Sequence, residues 1–208
     1  MKAFTTPRLW IFIWGGLGAL FLVYVIISAS VQPRDLNRSS KCSISVKDRD
    51  QALLTGDMIG FTYAFPPRGM PEAFFQFDGE DLTLADFRGK TILVNFWATW
   101  CPPCVKELPS LNGLQGRLGS DEFEVVAVAA DPKGPEIARE FLARHNINNL
   151  KLYTDQRLRL TGAIGGGAVL PISILYSQDG KEIGRLIGEA DWESPEAIRL
   201  VQNAIDCS

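Results

Sequence analysis

Thr91-Ile92-Leu93-Val94-Asn95-Phe96-Trp97-Ala98, followed at once by Thr99-Trp100-Cys101-Pro102-Pro103-Cys104, is the stretch that decides how this chain folds. An apolar run of strand length that ends in Cys-x-x-Cys and turns into a helix is the geometry of a dithiol/disulfide redox centre. The spacing at a helix start lets the sulfurs close a bond and sets the first over backbone N–H groups without an intrahelical partner. Cys101 is therefore the expected nucleophile, and Cys104, buried beneath it, the expected resolving thiol. A structural zinc pair is the competing use of this spacing, but structural zinc usually needs four ligands. The chain has no second Cys-x-x-Cys and one histidine, His145.

Downstream, Val105, Leu108, Leu111, Leu114 and Leu118 recur at three- and four-residue steps, which predicts a helix with one apolar face. Pro109 should kink it, since it has no N–H for the carbonyl of Val105. Residues 122–130 read as a buried strand, 135–144 as a helix, 150–153 as a short strand and 156–163 as a short helix. Residues 172–176 and 181–187, joined through Gln178-Asp179-Gly180, form a hairpin, and Ser194-Pro195-Glu196 opens a last helix to Asp206. Upstream, 73–77 and 82–84 flank the turn signal Asp78-Gly79 of another hairpin. A helical turn is expected within 48–54, and Pro66-Pro67-Arg68-Gly69 is a loop. The order implies an α/β fold: a central mixed sheet with helices on both faces.

The front of the chain differs in kind. Residues 9–31 contain no charge and as a helix would reach roughly 34 Å, enough for a hydrocarbon core of about 30 Å. The stretch exceeds the usual apolar core of a secretory signal, which favours an uncleaved anchor, although Ser28-Ala29-Ser30 offers a cleavage site. Residues 1–8 would then be cytoplasmic, 9–31 the transmembrane anchor, 32–55 a tether and N-terminal extension, and 56–208 the globular domain. Charge flanking the span does not set its orientation. Four cysteines behind an export-like helix suit a compartment where disulfides persist, which places the body outside the cytoplasm. The first 41 residues hold five of the 21 Lys and Arg and one of the 24 Asp and Glu, so the remainder is acidic by seven charges. An acidic body without a basic stripe argues against nucleic acid as a partner.

The run from Asp86-Phe87-Arg88-Gly89-Lys90 through Cys104-Val105-Lys106-Glu107-Leu108-Pro109 resembles the thioredoxin-like proteins of the TlpA, ResA and CcmG (DsbE) type. The likeness covers about residues 72–206, with echoes in 123–128, in Leu170-Pro171 and in Gly188-Glu189-Ala190-Asp191-Trp192. The anchor and the Gly-x-x-x-Trp stretch lean toward TlpA. Members of this group are membrane-anchored thiol:disulfide oxidoreductases of bacteria, so the resemblance implies a thioredoxin-like fold in a single-pass inner-membrane protein with its catalytic domain in the periplasm. It also implies a cis Pro171 beside the active site, shaping with Leu170 a groove for the partner chain.

The resemblance gives Glu107 the place of a glutamate near the cysteines, where it would shuttle protons and, as a nearby negative charge, raise the thiol pKa. Spacing alone says only that Glu107 and Cys104 share a helix face, and a solvated helix residue is the bland alternative. Asn95 stands where thioredoxin has a buried aspartate, so that proton-transfer assistant is missing. Neither Pro102 nor Pro103 has an N–H, so the first donors facing a Cys101 thiolate belong to Cys104 and later residues. With no basic residue inside the motif, the centre should be reducing, far from the about −120 mV of the most oxidising periplasmic dithiol protein. Trp100 and Pro102 are candidate partner contacts, Trp97 reads as core, and His145 as a helix-end residue. Gly162, Gly165, Gly166 and Gly167 lack the Lys-Ser/Thr of a phosphate loop and read as a loop before Pro171.

Cys42 and Cys207 are the remaining cysteines, and a structural disulfide between them would contribute up to about 5 kcal/mol in the chain-entropy model. Free thiols or an intermolecular bond are the alternatives. No cofactor beyond the Cys101–Cys104 pair is expected. By resemblance the partners would be protein disulfides, in apocytochrome c or in copper-site assembly proteins of cytochrome oxidase, with electrons from a membrane-embedded thiol reductase. The competing classes are a copper metallochaperone using the two thiols as soft ligands and a peroxidase.

Overall fold

The structure, a computed structural model, describes residues 51–165 and 169–207. The chain divides into two compact units, 1–41 and 42–208. The expected anchor, most of the tether and Cys42 lie outside the described residues, which all belong to the second unit.

Eight strands make one mixed sheet: β1 (Thr62–Tyr63), β2 (Phe75–Phe77), β3 (Glu80–Leu82), β4 (Thr91–Trp97), β5 (Phe123–Ala129), β6 (Tyr153–Thr154), β7 (Ile172–Tyr176) and β8 (Glu182–Ile187). Their order across the sheet is β1-β8-β7-β4-β5-β6-β2-β3. β4 lies parallel to β5 and β5 to β6, while β7 runs antiparallel to β4 and β8 to β7. The helices are α1 (Pro102–Leu118), α2 (Pro135–Arg144), α3 (Arg159–Ala163) and α4 (Pro195–Asp206).

Every residue of β4 is buried, because its alternating side chains feed two cores. Leu93 and Trp97 join Val125, Ala127 and Leu175 under Leu108 and Leu111 of α1, Ala138 of α2 and Leu200 of α4. Ile92, Val94 and Phe96 join Val126, Val128, Ile174 and Phe75 under Leu160 of α3 and Leu84. The thioredoxin-like α/β fold read from the sequence is present. Leu53 and Leu54, assigned to the N-terminal extension, pack against the first of these cores.

The β2–β3 connection is the two-residue turn Asp78-Gly79, both with positive φ (50° and 87°), the form that matches the twist of paired strands. Other elements depart from their expected places. The helical turn expected within 48–54 is a 3-10 turn at Gln51–Leu53. The strand expected over 150–153 begins at Tyr153, where pairing with Val128 becomes available, and Leu150 is buried in the connection before it. The helix expected from 156 begins at Arg159, because Leu158 adopts a left-handed φ of 54° and the Asp155 carboxylate accepts from Arg159 N at 2.8 Å and Thr161 N at 2.7 Å. α1 runs unbroken through Pro109.

Candidate active site

Trp97 ends β4, its carbonyl accepts from Ala130 N at 2.8 Å, and the next residues turn out of the sheet. Buried Asp131, just past β5, accepts from Thr99 N at 3.1 Å and Thr99 Oγ1 at 2.8 Å, fixing the loop that launches α1. Nothing local in the sequence marks Asp131 for this role, which depends on the parallel β4–β5 register. Cys101 is the N-cap of α1, and Pro102 and Pro103 occupy the first helical positions, where a missing N–H costs nothing.

Cys101 and Cys104 form a disulfide with Cα atoms 5.3 Å apart. Both are buried, Cys104 more deeply. Cys104 N donates to Cys101 Sγ at 3.4 Å, the donor expected from the two-proline sequence. After reduction that N–H and the N-terminal end of α1 favour negative charge on Cys101.

Trp100 is 63% exposed beside the pair, and Pro102 is exposed too. Trp97 is buried and packs on Phe141, against which His145 stacks at the far side, with ring centroids 4.1 Å apart. The Leu170–Pro171 peptide is cis. Pro171 is buried, its carbonyl accepts from Gly188 N at 2.9 Å, and Leu170 touches both cores. A second cis bond, Phe65–Pro66, falls in a stretch the sequence marked only as a loop. Gly166 and Gly167 lie outside the described residues. Cys207 is disulfide-bonded, and its expected partner Cys42 lies outside the described residues.

Glu107 is 2% exposed, one helical turn beyond Cys104. Its Oε2 accepts from Asn95 Nδ2 at 3.3 Å and its Oε1 from Trp192 Nε1. Asn95 also donates to Ser173 Oγ at 2.9 Å, and all of these side chains are buried between β4, β7, α1 and α4. Trp192 is held in turn by its backbone N–H, which donates to Ser110 Oγ at 3.1 Å. Burial pushes the Glu107 carboxyl up to about 7, against the lowering effect of the Trp192 and Asn95 bonds. The sequence suggested a place for Glu107 but not its partners: Trp192 is 85 residues away, and no local pattern announces such a contact. The arrangement puts a carboxyl raised to about 7 on the cysteine face of α1. Among the described residues no group of His, Cys, Asp and Glu is arranged to hold a metal ion.

The comparisons agree with this chemistry. Residues 69–199 match the Redoxin family. The thiol-disulfide oxidoreductase ResA of Bacillus thuringiensis is 33% identical over 119 residues, 57% of this chain and 67% of that protein. A thiol:disulfide interchange protein of the thioredoxin family from Chlorobium tepidum is similar at 26% identity and a TM-score of 0.54, over 67% of this chain and 97% of that one. StoA from Bacillus subtilis shares the fold at 23% identity and a TM-score of 0.52, over 65% of this chain and 98% of that one. This chain belongs to the Redoxin family, as a thioredoxin-like thiol-disulfide oxidoreductase related to ResA.

Proposed function

We propose that the protein is an extracytoplasmic, membrane-anchored reductant of protein disulfides. The observation that carries the direction is the setting of the dithiol: Cys101 has one backbone donor and no basic side chain in its motif, and a titratable carboxyl lies one turn further along the helix. Such a site stabilises the Cys101 thiolate only moderately, which favours donating electrons over withdrawing them.

In the reduced protein Cys101 attacks a partner disulfide, giving a mixed disulfide and a partner thiolate. Glu107 takes the proton of Cys104, whose thiolate attacks Cys101 Sγ, closing the Cys101–Cys104 bond and releasing the second partner sulfur. Two electrons pass from the dithiol to the partner. Trp100, Pro102 and the Leu170-Pro171 segment are the contact surface for the partner chain. The uncharged run 9–31 supplies the anchor, which concentrates the domain near partners in the same membrane. Cytochrome c haem-site cysteines or copper-site assembly proteins of cytochrome oxidase are the proposed substrates, and a membrane-embedded thiol reductase the electron source. A Cys42–Cys207 bond ties the start of the domain to its last helix.

A Cys104→Ser variant tests the reading in cells: mixed disulfides through Cys101 should accumulate in the membrane fraction and identify the partners. Recovery of no thiol-dependent adduct, or a measured potential close to about −120 mV, overturns it.

A further inference from the structure

Glu107 has an inner and an outer side. Inside, its carboxylate accepts from Asn95 of β4 and Trp192 of the β8–α4 connection. Outside, it lines a surface groove of about 400 Å3 together with Asp57, Lys106, Ser110, Glu189 and Asp191. Neither cysteine, nor Trp100, nor Pro171 lines this groove. In the resolving step a partner is bonded to Cys101 and covers the approach to the dithiol, yet Cys104 must give up a proton at that moment.

We propose that this groove is the proton port of the dithiol: Glu107 takes the Cys104 proton from within and passes it to water in the groove, clear of the bound partner. The inference rests on the reading of Glu107 as the acceptor of that proton. In the step, the Cys104 S–H bond breaks and the Glu107 O–H bond forms. The Cys104–Cys101 bond then forms as the Cys101–partner bond breaks, and the partner leaves as a thiolate. Glu107 finally loses its proton to the groove, ready for the next turnover.

The groups around the carboxyl suit this traffic. Lys106 of α1 is paired with Glu189, while Asp57, Asp191 and Glu193 add further carboxylates at the groove. Asn95 and Ser173, facing from β4 and β7, do not titrate. Burial chiefly, with the Glu189 charge adding to it, holds Glu107 at about 7, where it can both take and release a proton near neutral pH.

The test is chemical rescue of Glu107→Ala. The mixed disulfide is prepared on Cys101 with a folded protein thiol and, separately, with glutathione, which leaves the dithiol approach open. Release of the partner is followed with and without excess sodium formate. Resolution should slow about a hundredfold, and formate should restore about tenfold with either partner. Glu107→Gln, whose amide fills the same place, should be slow and unresponsive to formate. Formate acting with glutathione only, or with neither, overturns the port. Resolution of Glu107→Ala at the parent rate removes instead the proton-acceptor role on which the port rests.

Discussion

Glu107 and Glu182 are both buried, 2% and 1% exposed, but their neighbours put them to opposite uses. Glu182 opens β8 and accepts from Arg185 Nε at 2.6 Å and Arg68 Nε at 3.0 Å, pinning the loop after Pro66 to the sheet edge. Burial pushes its pKa up, but the Arg185 and Arg68 guanidinium groups outweigh that and hold it below the ordinary value. Glu107 has only neutral donors, the Trp192 indole, the Asn95 amide and the Ala190 backbone, and burial prevails. Cationic partners make a buried carboxylate a permanent fastener, whereas neutral donors leave it able to titrate.

The largest expected effect lies on the fastener. Glu182→Gln leaves Arg185 and Arg68 facing a neutral amide, and should cost about 3–4 kcal/mol in denaturant unfolding. Part of the penalty is relieved because Arg68 can turn to water. The pH dependence of mixed-disulfide resolution should stay that of the parent, and a shifted profile would break the division between the two carboxylates.

Next comes stability against pH, where the two groups have opposite signs. The lowered pKa of Glu182 gives stability that is present above its unfolded value of 4.5 and is lost as pH falls through the folded value. For Glu107, raised from 4.5 to about 7, the unfolded chain ionises first, so stability falls as pH rises across that window. The fall amounts to about 3 kcal/mol in the oxidised protein. Glu107→Gln should flatten this slope and be more stable than the parent above pH 7. A slope unchanged in that variant would mean that Glu107 does not titrate there.

The contrast explains what the sequence made legible. The strand, the turn, both cysteines and α1 are contiguous, so residues 91–118 carried their own instructions, and the expected hairpin at Asp78-Gly79 followed from local turn chemistry. The cis bond at Pro171 was available only through family resemblance. β1 escaped, since its two residues are held by pairing with β8 and not by any pattern of their own. The partners of Glu107 escaped for the same reason: Asn95 is an ordinary polar break in an apolar strand until β7 brings Ser173 and α1 brings Glu107 to it.

Two donor deletions give the finest comparison. Trp192→Phe removes the indole N–H together with the pyrrole ring of a fully buried side chain, leaving Glu107 its Asn95 bond and the Ala190 backbone donor. The carboxyl should rise further, and beyond the pH-independent cost of the smaller ring, stability above pH 7 should drop by about a further 2 kcal/mol. The infrared carbonyl band of protonated Glu107 should then persist to higher pH than in the parent.

The smallest effect is expected at Glu124, the second fastened carboxylate. Tyr153 OH donates to it, while Lys151 Nζ at 3.0 Å and Lys90 Nζ at 3.1 Å supply positive charge. Burial acts upward on Glu124 also, but the Tyr153, Lys151 and Lys90 bonds bring it below the ordinary value. Tyr153→Phe removes one neutral donor, as Trp192→Phe does, yet both lysines remain. The cost should be about 1 kcal/mol, independent of pH between 6 and 9. If Tyr153→Phe produced the pH-dependent loss expected of Trp192→Phe, partner charge would not be what separates these carboxylates, and depth of burial would have to replace it.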